Sequence, residues 1–209
     1  MSNPQEKPVQ CIDAVDRVLA AAEELFATCG YDAVSISAIA DRAQVSKANI
    51  FHHFQSKRLL YISVLKGAAT HSTKLLAGIE ETQSGFTERL QQLMHGQLDN
   101  YLSHPDKSKL LMREVLEDTS DAEVRVLQDE FAKNFSRVVS LIQKGQSAGE
   151  LRSSVDPAIV AITILAANIF YFRTRDHLRE LSEINFASDS TLYVNQVMDL
   201  LLNGMIQSA

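Results

Sequence analysis

The sequence predicts an all-α protein, with an N-terminal three-helix helix-turn-helix domain followed by a C-terminal helical bundle, about nine helices in total. Three observations carry this. Apolar residues recur at steps of three and four along nearly the whole chain, and no run of strict alternation marks a strand. Residues suited to cap helices stand where the periodic segments begin: Ser35, Ser46, Ser56, Asp121 and Asp156. Two short periodic segments near the N-terminus are separated by only about three residues, which is the length signature of a helix-turn-helix.

Taken in order, residues 1–10 are polar and read as a flexible arm, and residues 11–57 form the helix-turn-helix domain. Helix one covers 11–29, with Ile12, Val15, Leu19, Ala22 and Phe26 on one face and Val18, Leu25 and Cys29 beside them, and ends at Gly30. Ser35 caps helix two, whose Ile36, Ile39 and Ala40 point inward; it stops near Ala43. A tight Gln44-Val45 turn follows, and Ser46 opens helix three over 46–53. Residues 58–209 supply the helical bundle. Its first helix runs from Ser56 to Ala77, the second from Phe86 to Leu102, and Pro105 occupies the first turn of the third. Asp121 starts the fourth, closed by Gly145 and Gly149; Asp156-Pro157 starts the fifth; the last runs from Ser190 to Ile206. The fifth has no charge between Pro157 and Phe172, a run of 16 residues that falls short of the ~20 needed to span a membrane. A helix apolar on all sides is expected to be buried in the protein or in a subunit interface, so no membrane partner is expected.

Composition narrows the function classes. With 45% hydrophobic and 22% charged residues the chain is an ordinary globular sequence, which excludes disorder and fibrous repeats. The two cysteines, Cys11 and Cys29, lack metal-ligand spacing, and no charged-then-apolar leader precedes them, so a reducing, cytoplasmic setting is expected. Net charge is −6, yet Asp41 to Lys66 holds five basic residues against one acid. A basic island on an acidic chain suits a small DNA-binding head.

Helix three, at ~12 Å, fits a major groove of about that width. Ser46, Lys47, Ala48, Asn49, His52 and His53 are its expected exposed residues, while Val45, Ile50 and Phe54 lock it down. Asn49 can bond an adenine edge, Lys47 a guanine or phosphate, and Ala48 a thymine methyl. The starts of helices two and four, with Ser35 and Ser37 and with Ser56, Lys57 and Arg58, offer free N–H groups to phosphates. His52 and His53 project about 100° apart and cannot chelate a metal together; His71, His95, His104 and His177 are scattered without zinc spacing. No catalytic constellation, phosphate loop, metal site or cofactor motif stands out, and no enzyme activity is expected.

The stretch from Val34 to Leu60 resembles the DNA-binding signature of the tetracycline-repressor (TetR) family. It carries Ser35, Ile39-Ala40, Ala43, Val45-Ser46, Ile50-Phe51-His52-His53-Phe54, Ser56-Lys57 and Leu60 at that family's spacing. The resemblance implies that His53 and Lys57 meet the DNA backbone. Phe51, also a candidate DNA-binding residue, stands where the family usually has Tyr, so one phosphate-bonding hydroxyl is missing. Gln44 replaces a frequent turn glycine, at a cost of roughly 1 kcal/mol. The resemblance further implies repression as the usual mode, an inducer cavity in the bundle, and a homodimer formed through a four-helix bundle from the Pro157 helix and the last helix.

For the cavity, Phe131, Phe135, Tyr171 and Phe172 are candidate lining residues, with His95, Tyr101 and Arg113 as polar candidates. Asn168 interrupts an otherwise apolar helix, and a buried amide needs a partner: a small-molecule effector, a neighbouring helix or the second subunit. For the dimer interface the candidates are Ile164, Ile169, Leu192, Val197, Leu200 and Leu201. The expected partners are therefore a pseudo-palindromic double-stranded DNA operator, a second copy of the chain and a small-molecule effector. Two alternatives compete. In one, the C-terminal domain serves only dimerisation or a partner protein, which a cavity below ~300 Å³ favours. In the other, the chain is a helical enzyme with an incidental helix-turn-helix, which predicts convergent titratable residues in a cleft.

Overall fold

The computed structural model describes residues 13–116 and 121–205; the arm expected over 1–10 and the start expected for helix one at 11 lie outside them. The described residues form nine α-helices and no strand, the fold class expected. They are α1 (Ala14–Cys29), α2 (Ile36–Ala43), α3 (Lys47–Phe54), α4 (Lys57–Glu81), α5 (Phe86–Ser103), α6 (Pro105–Leu116), α7 (Ala122–Ser147), α8 (Pro157–Leu178) and α9 (Ser190–Met205). A short 3-10 turn, Phe186–Ser188, precedes α9. The chain divides into two compact units whose boundary, between Leu65 and Lys66, falls inside α4.

The caps form as their chemistry dictates. A serine oxygen placed one residue before a helix accepts an N–H that the helix itself leaves unpaired. Ser35 Oγ accepts from Ala38 N, Ser46 Oγ from Asn49 N and Ser56 Oγ from Leu59 N, each at 3.1 Å. Asp121 and Asp156 do the same for α7 and α8, and Asp189 caps α9. Helix ends need backbone freedom instead. Gly30 closes α1 with φ 81°, and Gln44 closes α2 in the left-handed region at φ 54°, ψ 49°.

Three local expectations need correction. The buried face of α1 is Val18, Ala21, Ala22 and Phe26: Ala22, Phe26 and the flanking Val18 are buried as expected, while Val15 and Leu19 are only half-buried and Ala21 takes their place; α2 packs through Ile39, Ala40 and Ala43. α4 continues to Glu81 because Leu76 and Ile79 keep its apolar period going into the core. Gly145 does not stop α7. It lies inside the helix, where a Cβ would stand 2.7 Å from Leu151 Cδ1 and 3.1 Å from Phe86 Cβ, so its bareness admits neighbouring side chains. The chain then turns at Gly149, φ 79°.

The first unit packs around Val18, Ala22, Phe26, Ile39, Ile50, Leu60 and Leu65. The second has a core shared by α4, α5, α7, α8 and α9, centred on Leu90, Met94, Leu98, Ile142, Ile164 and Val194. α8 is long and apolar enough to cross a membrane by length and composition alone. It is not buried on all sides: Val160, Ala161, Ile164, Leu165, Asn168, Tyr171 and Phe172 face the core, while Ile159, Ile162 and Phe170 are exposed. On the second unit's surface, Arg137 donates through Nε and Nη2 to both oxygens of Glu80 at 3.0 and 2.8 Å, joining α7 to α4.

Two outcomes follow. Ser46→Ala is expected to cost about 1 kcal/mol and Ser46→Gly only a few tenths, measured by chemical denaturation followed by circular dichroism. The Arg137 guanidinium holds the Glu80 carboxyl below its ordinary value, so this pair stabilises above that value and its contribution fades as pH falls through the lowered one. The acid limb of the stability profile is therefore expected to flatten in Glu80→Gln.

Candidate nucleic-acid interface and ligand cavity

α3 has only eight residues, and its exposure pattern decides what it can touch. Ile50 and Phe54 are buried and Val45 is half-buried. Ser46, Lys47, Ala48, Phe51, His52 and His53 are exposed, Phe51 at 48%. All six are candidate DNA-binding residues, Phe51 presenting a bare aromatic face. Asn49 departs from expectation. It is half-buried, and its Oδ1 is enclosed with no hydrogen-bond partner among the described residues. The backbone N–H of Asn49 serves the Ser46 cap, which draws that turn inward.

The start of α4 is held by aromatic packing that the sequence did not announce. Tyr31, Phe26 and Tyr61 form a trio with ring centroids 4.9 to 5.8 Å apart. Lys57 Nζ sits 4.3 Å from the Tyr31 ring centre and donates to Asp32 O at 3.4 Å. Its ammonium keeps further donors, so the Lys57 position and the cap Ser56 are fixed together at the positive end of a 25-residue helix. At the start of α2, Ser35 is exposed with its oxygen engaged in the cap, and Ser37 is half-buried beside it. The basic island is weaker than its formal charge suggests, because Arg42 pairs with Glu24 through Nε and Nη2 at 3.0 and 2.7 Å.

The second unit contains a cavity of about 180 Å³ lined by α4, α5, α6, α7 and α8. Leu75, Leu76, Leu93, Met112, Phe131 and Phe135 give it apolar walls. Of the expected lining residues, Tyr101, Phe131 and Phe135 are there. Five others are elsewhere. His95 bonds Asn195 at 3.1 Å, Arg113 pairs with Glu114, and Phe172 packs behind Tyr101 at 5.7 Å between ring centres. Tyr171 stacks on Tyr193 and donates to the Phe186 and Ala187 carbonyls, which ties α8 to the segment before α9. Asn168, fully buried, finds its partner on the neighbouring helix: its Nδ2 donates to Met94 O at 2.9 Å and to Gln97 Oε1 at 3.0 Å. Gln97 in turn lines the cavity, as does Asn100. The spacing of Gln97 and Tyr101, one helical turn apart, was the available signal for a polar strip there.

The dimer candidates divide. Leu192 and Leu200 are exposed, Leu200 at 75%. Val197 and Leu201 pack partly into the subunit's own core. Ile164 and Ile169 turn inward and line the cavity, because the core-facing side of α8 holds them. The outward residues of α8 are Ile159, Ile162 and Phe170, spaced as one helical stripe, and sequence reasoning passed over them. Cys29 is exposed, and no cluster of three metal-ligating side chains occurs among the described residues.

The comparisons with known proteins meet this geometry at both ends of the chain. Residues 18–64 match the model of bacterial regulatory proteins, tetR family, and residues 87–198 match the tetracyclin repressor-like C-terminal domain. The chain belongs to the TetR family of transcriptional regulators. Among its TetR-type relatives is the HTH-type transcriptional repressor NicS of Pseudomonas putida, 25% identical over 91% of each chain. The HTH-type transcriptional activator FasR of Mycolicibacterium smegmatis is 39% identical over 77 residues, covering 37% of this chain and 34% of that one. Among solved structures, the ketosteroid transcriptional regulator KstR2 of Mycobacterium tuberculosis superposes with a TM-score of 0.77 at 20% identity, over 95% of this chain and 98% of that one, and shows the shared fold. The TetR-family assignment makes this a helix-turn-helix DNA-binding regulator of transcription.

Asn168→Ala is expected to destabilise the second unit by about 1–3 kcal/mol, since it strands Gln97 Oε1 and leaves a void at a fully buried site. Thermal unfolding measures it, and Asn168→Asp should not rescue it, because Met94 O requires a donor.

Proposed function

We propose that the protein is a homodimeric, sequence-specific repressor that a small-molecule effector releases from a pseudo-palindromic operator. One observation carries the reading: α3 offers Lys47, Ala48, Phe51, His52 and His53 outward while Ile50 and Phe54 anchor it. Lys47, Ala48 and His52 read base edges in the major groove. Ser35, Ser37, Ser56, Lys57 and His53 meet phosphates on either side, where helix starts favour anions. Asn49 reads a base only if it trades its enclosed position for an adenine edge.

The exposed stripe of Ile159, Ile162 and Phe170 on α8, with Leu192 and Leu200 on α9, forms the dimer contact. A two-fold dimer places its recognition helices ~34–36 Å apart, one DNA turn. A regulator of this kind works in the cytoplasm, with the chromosome. For release, the ligand occupies the cavity and displaces α6 against α4. α4 carries Ser56 and Lys57 at its start and lends Ala68, His71, Ser72 and Leu75 to the cavity wall further on. Release requires that the ligand bind one state more tightly than the other.

A second reading keeps the DNA-binding head and gives the C-terminal unit only dimerisation or partner binding. It is favoured by the cavity volume, about 180 Å³. Ligand sites usually exceed ~300 Å³. An apolar cavity of about 150 Å³ nevertheless takes a benzene-sized molecule, so the volume suits a small effector.

Selection of bound fragments from random duplexes tests the DNA reading; no preference over bulk competitor refutes it. Lys57→Ala is expected to weaken specific and random DNA alike and to lower the salt slope by about one per subunit. Lys47→Ala or His52→Ala should cost roughly 1–3 kcal/mol on the selected sequence alone. Ile162→Arg is expected to leave a folded monomer in sedimentation. If saturating ligand leaves the operator Kd unchanged, the second reading stands.

A further inference from the structure

Hydrogen-bond accounting inside the cavity points to the chemistry of its occupant. The Asn168 amide cannot be turned over. Its Nδ2 faces the Met94 carbonyl at 2.9 Å, and a carbonyl only accepts. The same nitrogen therefore donates to Gln97, whose Oε1 is the acceptor at 3.0 Å. That fixes the Gln97 amide as well, and its Nε2, with two N–H groups, is the end left for the cavity.

One turn further along α5, Tyr101 lines the same cavity and is nine-tenths buried. Its ring packs on Phe172, but its hydroxyl makes no hydrogen bond among the described residues. Burial alone pushes the phenol's pKa upward, with no charge contributing, so it is a neutral donor in an apolar setting. Residues four apart on a helix have Cβ atoms about 5–6 Å from each other, which lets two such donors converge on one acceptor. Both donors face a space with apolar walls, so a guest that brings an acceptor completes the pair.

The rest of the lining sets the guest's charge. Among the described residues no Asp or Glu lines the cavity, so a cation finds no counter-charge from them. The two lining histidines, His71 and His104, are exposed at the rim, and the lining lysine, Lys107, stands on α6 and not on the α5 strip of Gln97 and Tyr101. A carboxylate at the Gln97–Tyr101 strip would be desolvated without a cation beside it. Asn134 is tied to the protein at both ends of its amide, since Nδ2 donates to Thr73 Oγ1 and Oδ1 accepts from Arg137, and the N–H that its Nδ2 keeps is again a donor, not an acceptor.

We propose that the cavity takes a small, neutral, largely apolar molecule bearing a carbonyl oxygen, which accepts from Gln97 Nε2 and Tyr101 Oη. This rests on the reading of the cavity as an effector site and adds the class of effector. At about 180 Å³ the space suits a single ring with a short substituent.

The test uses the full chain and three probes of one size, with calorimetric Kd for each: acetophenone, ethylbenzene, which lacks the oxygen, and benzoate, which carries a charge. Acetophenone is expected to bind about tenfold more tightly than ethylbenzene, as two hydrogen bonds allow, and more tightly than benzoate. Tyr101→Phe should cut that preference to about threefold, leave ethylbenzene unchanged, and leave Tm equal or higher, because the lost hydroxyl has no partner to forfeit. Gln97→Leu should cut it likewise. Equal affinities for acetophenone and ethylbenzene, tighter binding of benzoate, no binding of any probe, or a lower Tm in Tyr101→Phe overturns the proposal. Operator binding measured with saturating acetophenone separates the two readings: preference without release supports the carbonyl site and refutes release by this ligand.

Discussion

An eight-residue helix does not persist alone in water, since nucleation costs more than so few hydrogen bonds return. Everything that α3 presents outward therefore depends on Ile50 and Phe54 being held in the core of the first unit. The same burial dictates which side chains are left outside. α2 behind it and the Tyr31–Phe26–Tyr61 aromatic trio beneath the start of α4 extend this one constraint to the residues on either side of the turn. The outward surface of α3, which we propose reads DNA, is thus a by-product of apolar packing.

The fold was legible because its signals are local. Serine and aspartate oxygens bond an N–H two or three residues on, so Ser35, Ser46, Ser56, Asp121 and Asp156 could be placed without knowing what packs where. The period of three and four marked helices, but it marked their faces less well. On α1 the face shifted by about a residue, because small Ala21 and Ala22 allow α2 close and so draw the contact toward themselves. On α8 every face is apolar, so nothing in the sequence separated Ile164, which lines a cavity, from Ile162, which faces out.

The candidate site was legible in proportion to how local it is. The outward residues of α3 follow from helix geometry once two anchors are known. Asn49 did not, because its enclosure depends on how the turn around the Ser46 cap closes. The cavity was harder still. Tyr171, Phe172 and Tyr101 are equally aromatic and equally periodic, yet Tyr171 finds carbonyls before α9 while Tyr101 finds none. Which phenol is satisfied is a long-range fact. Asn168 was rightly singled out as a buried amide in need of a partner, and the partner lies on a helix about seventy residues earlier in the chain.

Helix α3 is bounded at both ends by glutamines with positive φ, Gln44 before its cap and Gln55 just after its last turn, at 54° and 62°. Such residues redirect the chain more sharply than side-chain preference does. The length of α3 is thereby set by its backbone and not by the residues within it. Exchanging the outward side chains of α3 therefore leaves the rod at constant length, whereas lengthening it would have to move one of the two reversals of the chain.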